Sequence, residues 1–173
     1  MLKALIILVV LVAALLVYAA TRPGAFRVER TTTIKTAPGR IHALINDFHQ
    51  WDAWSPYEKR DPAMKRSFSG TDSGEGAIYE WNGNAKAGQG RMEIIRSEPS
   101  IIVIKLDFIR PFAGHNTAEF SLRQNGDATE VSWAMHGPSP YVARLMGIFF
   151  NMDKMIGKDF MEGLANLKAA AEK

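Results

Sequence analysis

The chain has 173 residues, enough for one domain with a hydrophobic core. Its 21 Lys and Arg and 18 Asp and Glu are interspersed without a basic block, which argues against an electrostatic nucleic-acid surface. The absence of Cys excludes disulfides, thiol nucleophiles and thiolate metal sites.

An uncharged apolar run occupies residues 4–20. As a helix it would be roughly 25 Å long, near the lower limit for crossing a bilayer. We therefore predict a transmembrane anchor at residues 1–20, a linker at 21–25 and one domain at 26–173. A cleaved signal peptide is the alternative, with a cleavage site at residues 17–19.

The basic residues beside this run bear on its orientation. Lys3 and the amino terminus favour a cytoplasmic N-terminus, but Arg22, Arg27 and Arg30 follow on the other flank. The predicted location is the membrane, through a single-pass N-terminal anchor. Although the two flanks nearly balance, we place the domain on the non-cytoplasmic side.

A strand and two short helices are predicted next. Residues 26–35 are rich in β-branched side chains and alternate in polarity, which predicts the first strand. Pro38 then opens a helix, in the first turn where proline is tolerated. Asp47, with Gln50 three residues later, resembles a capping box that restarts a second helix. The first of these helices has one apolar face, formed by Ile41, Leu44, Ile45 and Phe48.

From about residue 63 the polarity pattern changes to a period of two. Alternating segments are typical of antiparallel strands with one buried and one solvated face. The strongest turn signal between them is at residues 124–127, where Asn125-Gly126 predicts a hairpin. Six such strands are predicted, at residues 64–70, 76–83, 90–98, 100–109, 117–124 and 129–136.

A long C-terminal helix completes the pattern. Ser139-Pro140 suits the N-cap and first helical positions, and the helix would extend for about 30 residues, roughly 45 Å. Because this helix has the only large apolar stripe, it should cover the buried face of the sheet. The stripe consists of Leu145, Ile148, Phe149, Met152, Met155, Ile156, Phe160, Leu164 and Leu167.

These elements predict an α+β fold of the helix-grip type. The order is β-α-α-β6-α, with a curved antiparallel sheet wrapped around the long C-terminal helix and an N-terminal transmembrane helix before it. A lipocalin-like barrel is also built from antiparallel strands. It does not explain two helices inserted after the first strand.

Four stretches resemble a known family: "NDFHQWDAWSP" at 46–56, "GEGAIYEWNGN" at 74–84, "GQGRMEII" at 88–95 and "GKDFMEGLANLK" at 157–168. Over about residues 26–170 the chain resembles the START-like or Bet v 1-like (SRPBCC) superfamily, in its bacterial polyketide cyclase/dehydrase-type branch. The resemblance implies a helix-grip fold with a deep apolar cavity for a lipid, polyketide or other hydrophobic ligand. It carries no catalytic residue over, since this branch has no fixed catalytic motif.

Candidate catalytic residues are few. The 4 His have no metal-ligand spacing, so we predict no metal site and no cofactor. Tyr79 and Arg30 have the parity of the buried face, and an inward Arg beside a Tyr could bind an enolate or carboxylate. In the alternative, Arg30 lies near its strand end, reaches solvent and binds nothing.

Aromatic and Met side chains on the predicted buried surfaces are the candidates for ligand binding, although the same residues would also form an ordinary core. Trp51 and Trp54 share one side of a short helix, and we predict that they form an aromatic wedge or the rim of a pocket. The full candidate set is Trp51, Trp54, Tyr79, Trp81, Met92, Phe108, Phe120, Trp133, Met135, Phe149 and Met152.

Three functions remain open at this point. The first is a membrane-anchored START-like domain that binds a hydrophobic small molecule or lipid between the sheet and the C-terminal helix, with the membrane contacted through residues 4–20. The second is a polyketide cyclase/dehydrase-like enzyme that uses general acid–base chemistry in the same cavity. The third is an interaction or co-chaperone-like module with the same fold.

Overall fold

The computed structural model describes residues 1–173. One helix projects from a domain in which a sheet curves around a C-terminal helix. The helices are α1 (Leu2–Thr21), α2 (Pro38–Asn46), a 3₁₀ helix (Phe48–Ala53), α3 (Tyr141–Met146) and α4 (Met152–Ala171).

Seven antiparallel strands form one sheet in the order β1-β7-β6-β5-β4-β3-β2. Strands β2 to β7 lie side by side in chain order, and β1 lies beside β7. The two short helices lie between β1 and β2 in the chain. This arrangement confirms the predicted helix-grip fold. The strands are β1 (Ala25–Ile34), β2 (Lys65–Gly70), β3 (Ala77–Asn82), β4 (Gln89–Glu98), β5 (Ile101–Arg110), β6 (Gly114–Asn125) and β7 (Ala128–Pro138).

The period of two in the sequence matches the two faces of the sheet. On β7, Val131, Trp133 and Met135 are buried on the concave face. The hairpin predicted at Asn125-Gly126 joins β6 to β7, and Gly126 has a φ of 65°, which a residue with a side chain rarely adopts. The alternation of apolar residues along the strands therefore determines which face of the sheet packs against α4.

The 3₁₀ helix is tied to the end of α2 by two indoles. Trp51 Nε1 donates a hydrogen bond to the Ile45 carbonyl at 2.9 Å, and Trp54 Nε1 donates to the Leu44 carbonyl at 3.0 Å. The last carbonyls of a helix have no partner within it, so these indoles satisfy groups that would otherwise be buried without one. Asp47 caps the 3₁₀ helix by accepting from the backbone N–H of His49 at 2.9 Å.

The C-terminal helical region is divided, where the sequence predicted one helix of about 30 residues. α3 ends at Met146, and α4 begins only at Met152. The side chain of Asn151 accepts a hydrogen bond from the Lys154 N–H at 2.9 Å, so it acts as the N-cap of a new helix. This break changes the direction of the apolar stripe, and Phe149 and Met152 are exposed rather than packed against the sheet.

α1 projects from the domain with nearly all of its apolar surface exposed. Its last turns contact α3, where the Tyr141 hydroxyl donates to the Leu16 carbonyl at 2.9 Å and Arg144 donates to the Ala20 carbonyl at 3.1 Å. By length and composition α1 could cross a membrane, a test that a signal sequence also passes.

Candidate functional site

Aromatic rings fill the middle of the space between the sheet and α4. Trp133 stacks on Phe160 of α4 with ring centroids 4.1 Å apart, and on Phe120 with centroids 5.0 Å apart. Trp54 contacts Trp133 and Phe120 edge to face. Neither Trp54 nor Phe120 has accessible surface, so neither borders a space that could hold a water molecule. Side chains therefore occupy the centre of the cavity that the resemblance implied.

The concave face becomes accessible towards one end of the strands. Met92, Leu106 and Met135 lie in mid-sheet positions, yet each keeps 7–8% of its surface accessible. Nearer the end of the sheet, Trp81 on β3 and Phe108 on β5 are only half-buried. This end of the sheet contains the junctions of β1 with α1 and of β7 with α3. The accessible apolar surface thus lies on the side of the domain from which α1 projects.

Two basic side chains stand beside a surface opening of about 520 Å³ near this end. Lys86 belongs to the β3–β4 turn and has no acidic partner, whereas Arg60 pairs with Asp159 of α4. A second hollow, of about 310 Å³, lies between α2 and the β4–β5 turn, and neither opening has a hydrophobic lining residue. Of the two, the opening at Arg60 and Lys86 lies at the β3–β4 turn, the same end of the strands as the half-buried Trp81 and Phe108.

A tyrosine, a carboxylate and a guanidinium form a network near the β2 edge of the concave face. The Tyr79 hydroxyl donates to Glu58 Oε1 at 2.6 Å, and Arg66 Nε donates to Glu58 Oε2 at 2.7 Å. Arg66 also donates to the Glu58 carbonyl at 3.0 Å. The Glu58 side chain is 8% exposed, so the Arg66 guanidinium balances its charge and the Tyr79 hydroxyl satisfies its other oxygen.

The protonation of Tyr79 follows from its surroundings. Burial raises the pKa of the Tyr79 phenol, and the neighbouring Glu58 carboxylate raises it further. The phenol is therefore a hydrogen-bond donor at neutral pH and a poor general base.

Arg30 and Tyr79, the two candidate catalytic residues, are not brought together. Arg30 lies on β1, and β7, β6, β5 and β4 separate it from Tyr79 on β3. The Arg30 side chain does turn towards α4, where it binds the Asp153 carboxylate at 2.9 Å. This hydrogen bond lowers the pKa of Asp153. The arginine thus links β1 to the first turn of α4, instead of forming an anion site with Tyr79.

Residues 25–172 match the family described as polyketide cyclase / dehydrase and lipid transport. The chain belongs to this family. The match confirms the predicted SRPBCC superfamily, whose domains bind ligands, and it covers the domain but not α1. No curated protein matches the sequence.

Solved structures show the same fold as this member of the polyketide cyclase / dehydrase family. The Zhui aromatase/cyclase of Streptomyces sp. R1128 is 14% identical, with a TM-score of 0.61 over 86% of this chain and 94% of that one. The major latex-like protein 151 of Panax ginseng is 12% identical, with a TM-score of 0.59 over 87% and 100%. A structural-genomics protein of Chromobacterium violaceum is 15% identical, with a TM-score of 0.59 over 87% and 99%. At these identities the similarity concerns the fold alone.

The predicted ligand residues of this polyketide cyclase / dehydrase family member separate into three groups. Phe149 and Met152 are exposed, because the chain turns away from the sheet between α3 and α4. Tyr79, Trp81, Met92, Phe108 and Met135 lie on the concave face towards its accessible end or beside the carboxylate network. The remaining predicted residues form the central aromatic packing: Trp51, Trp54, Phe120 and Trp133.

Sequence patterns did not identify Glu58 and Arg66. Glu58 lies in the irregular segment between the 3₁₀ helix and β2, where no periodicity assigns a face. Arg66 has the inward parity of β2, but that strand is short and exposed along its length. No group of three or more His, Asp or Glu side chains is placed to hold a metal ion.

Proposed function

We propose that this protein is a membrane-anchored domain that binds a hydrophobic small molecule or lipid at the accessible end of the concave face. The supporting observation is that Trp81 and Phe108, on the concave face at the end of the sheet next to α1, are only half-buried. The membership in a cyclase and lipid-transport family is consistent with a hydrophobic ligand. In this proposal residues 1–20 are the anchor, 21–25 the linker and 26–173 the binding domain.

The chemistry of this end favours an amphipathic ligand. Thioether and indole side chains such as Met92, Met135 and Trp81 adapt to apolar chains of different shape. Lys86 stands at the neighbouring opening without an acidic partner, so it can bind an anionic head group. A long-chain carboxylate or an anionic phospholipid has both parts.

Quenching of tryptophan fluorescence tests the proposal. A brominated fatty acid should quench Trp81 in the detergent-solubilised full chain, because this ring is half-buried at the accessible end. We expect most of the quenching to be lost in Trp81→Phe and retained in Trp133→Phe, whose ring belongs to the central aromatic packing. Equal quenching of both variants, or no quenching of the parent chain, would contradict the proposed site. Native mass spectrometry should also detect a co-purifying lipid.

The proposed orientation has a cytoplasmic N-terminus and the domain on the other side of the membrane. The chain has no Cys, so a single substitution at Asp127 provides a unique label in the β6–β7 hairpin. In intact cells, a membrane-impermeant maleimide should label Asp127→Cys. Labelling only after cell lysis would reverse the orientation.

An enzymatic role is the second candidate, and the Tyr79–Glu58 pair is the observation that favours it. The Tyr79 phenol could take a proton from a bound substrate while its own proton passes to the Glu58 carboxylate, which then returns a proton by the reverse path. If a substrate of the polyketide type is turned over, Tyr79→Phe should lower kcat about 100-fold or more. Unchanged turnover in Tyr79→Phe would leave the pair with a structural role.

A further inference from the structure

The end of the domain next to α1 combines basic side chains with exposed apolar ones. We define the basal face as four of the five segments at this end of the strands: residues 21–24, 83–88, 110–113 and 138–151. The fifth segment, residues 54–64 before β2, carries Glu58, Lys59, Arg60 and Asp61. We propose that the basal face docks onto the surface of an anionic lipid bilayer. The inference rests on the proposed membrane anchoring by α1, and it adds that the domain itself lies on the membrane instead of standing away from it.

The charges of the basal face have one sign. Its charged side chains are Arg22, Lys86, Arg110 and Arg144, and it contains no Asp or Glu, although the chain has 18 acidic residues. Lys86 and Arg110 form no ion pair, since Arg110 donates to the neutral side chains of Gln89 and Asn82. The opposite end of the strands carries acidic side chains: Asp72, Glu75, Glu98 and Asp127.

Nearby acidic side chains do not outweigh this charge. Glu58 is paired with Arg66, and Asp153 with Arg30. Asp61 is buried and accepts from the backbone N–H of Asn84 at 2.8 Å. It has no cationic partner, so it contributes one negative charge against the four basic side chains of the face. The field of the basal face is therefore positive, and phospholipid phosphates are its complement.

Large apolar side chains are exposed on or beside the same face. The aromatic rings of Phe112 and Phe149 are 71% and 67% exposed. Aromatic and aliphatic side chains interspersed with bases are the composition that inserts into the interface of a bilayer. The other members of this group are Ile109, Val142, Met146 and Phe150.

The contacts of α1 place this face at the bilayer boundary. α1 has 20 residues, about 30 Å of helix, which equals the thickness of the hydrocarbon core. The Tyr141 hydroxyl binds the Leu16 carbonyl, five positions before the helix ends at Thr21 and so about 7 Å along the axis from that end. If α1 spans the membrane, these bonds hold α3 beside the last turns of α1, at the boundary between the hydrocarbon and the lipid head groups. A domain held off the surface would have to break the bonds of Tyr141 and Arg144 to α1.

Nitroxide labels on the full chain test this proposal. Single Cys substitutions at Phe112, Phe149, Asp127 and Val10 are introduced into the Cys-free chain, which is placed in nanodiscs at one chain per disc. With phosphatidylglycerol in the disc, labels 112 and 149 should be shielded from a water-soluble paramagnetic reagent, whereas label 127 at the opposite end should remain accessible. Labels 112 and 149 as accessible as label 127 would overturn the proposal.

Charge variants test the complementarity separately. In the anionic bilayer, Lys86→Gln should reduce the ratio of docked to undocked chains, as reported by label 149, about fivefold. The reason is that a basic residue near such a surface contributes about 1 kcal/mol to binding. In phosphatidylcholine alone, Lys86→Gln should have no effect. Lys35→Gln, at the other end of β1, is the matched control and should leave the ratio unchanged. An equal effect of the two substitutions would contradict the docking face.

The remaining outcomes separate this inference from the proposed function. If label 10 lies in the hydrocarbon while label 149 lies in water, α1 is an anchor but the basal face does not dock. If label 10 lies in water, both the anchor and the docking of the basal face are wrong. In that case the quenching of Trp81 still reports on ligand binding. Shielding of label 149 only when two chains share a disc would identify a second copy as the occupant and overturn docking on lipid.

Discussion

At the residue scale, Trp51 and Trp54 join the end of α2 to the centre of the domain. Each indole contributes a hydrogen bond to a carbonyl of α2 and an edge-to-face contact with Phe120. The spacing of three residues predicted that both rings share one side, and the structure places both in the core. The Tyr79–Glu58 contact could not be predicted in this way, because the segment containing Glu58 has no regular structure from which to infer its position.

Substitution of Trp51 tests the structural role of this wedge. Trp51→Ala should lower the free energy of unfolding by about 3–5 kcal/mol, since a buried indole is lost and a cavity remains. Asp52→Ala, in the same short helix but exposed, should change the free energy of unfolding by less than about 0.5 kcal/mol. Urea unfolding of the full chain in a mild detergent gives both values. A loss below 1 kcal/mol in Trp51→Ala would show that the ring contributes little to the fold.

Tyr79 should make the domain sensitive to alkaline pH. Burial raises the pKa of its phenol above the ordinary value of about 10, so the folded state retains a proton that the unfolded state loses. This contribution to stability is complete below about pH 10 and is lost as the pH rises towards the higher pKa of the folded state. In Tyr79→Phe the free energy of unfolding should fall less steeply above pH 10, measured by urea unfolding at each pH. Tyr18→Phe, which removes an exposed hydroxyl from α1, should keep the slope of the parent chain.

At the scale of secondary-structure elements, burial determines what the sequence can predict. Strands β3 to β7 were identified from alternating polarity, because each has one face against the core. The strand predicted at residues 64–70 is also present as β2, although it is exposed along its length. The C-terminal helix was predicted too long, since Phe149 and Met152 fit the helical spacing although their side chains face solvent. The capping by Asn151 decided the boundary, and a local capping bond leaves no trace in an apolar pattern.

The close approach of α4 to the sheet depends on Gly163. A Cβ atom at this position would lie 2.6 Å from Cζ3 of Trp133 and 3.0 Å from Cδ of Pro56. Gly163→Ala should therefore destabilise the domain by about 1–3 kcal/mol, although Ala is the better helix former. Gly39→Ala, in α2 with no atom within 4 Å of the added carbon, should be neutral or stabilising. Thermal unfolding that ranks the two variants in the opposite order would contradict the tight packing of α4.

At the scale of the whole molecule, α1 contacts the domain chiefly through α3. It makes no hydrogen bond to the sheet or to α4. The family match begins at residue 25, after α1 has ended. Both observations support the proposed division into anchor, linker and domain.

Removal of residues 2–20 tests that division. The shortened chain should unfold at the same urea concentration as the full chain in the same detergent, with a change of about 1 kcal/mol or less, because exposed hydrogen bonds are exchanged for bonds to water. The same deletion should make membrane attachment sensitive to salt, because only the proposed basal-face contacts would remain and high salt screens them. A large loss of stability would mean that α1 is part of the folded domain, and sedimentation with membranes that persists in high salt would contradict α1 as the anchor.

The brevity of the connection between α1 and β1 has a consequence for ligand supply. Residues 22–24 span about 10 Å even when fully extended, so an anchored domain cannot reach a membrane on the far side of a compartment. Ligand capture would then depend on the mole fraction of the ligand in the surrounding leaflet and on its lateral diffusion, not on its solubility in water. The protein would stay in one membrane and take its ligand from that membrane. Onward transfer to a distant membrane would require a separate mobile carrier.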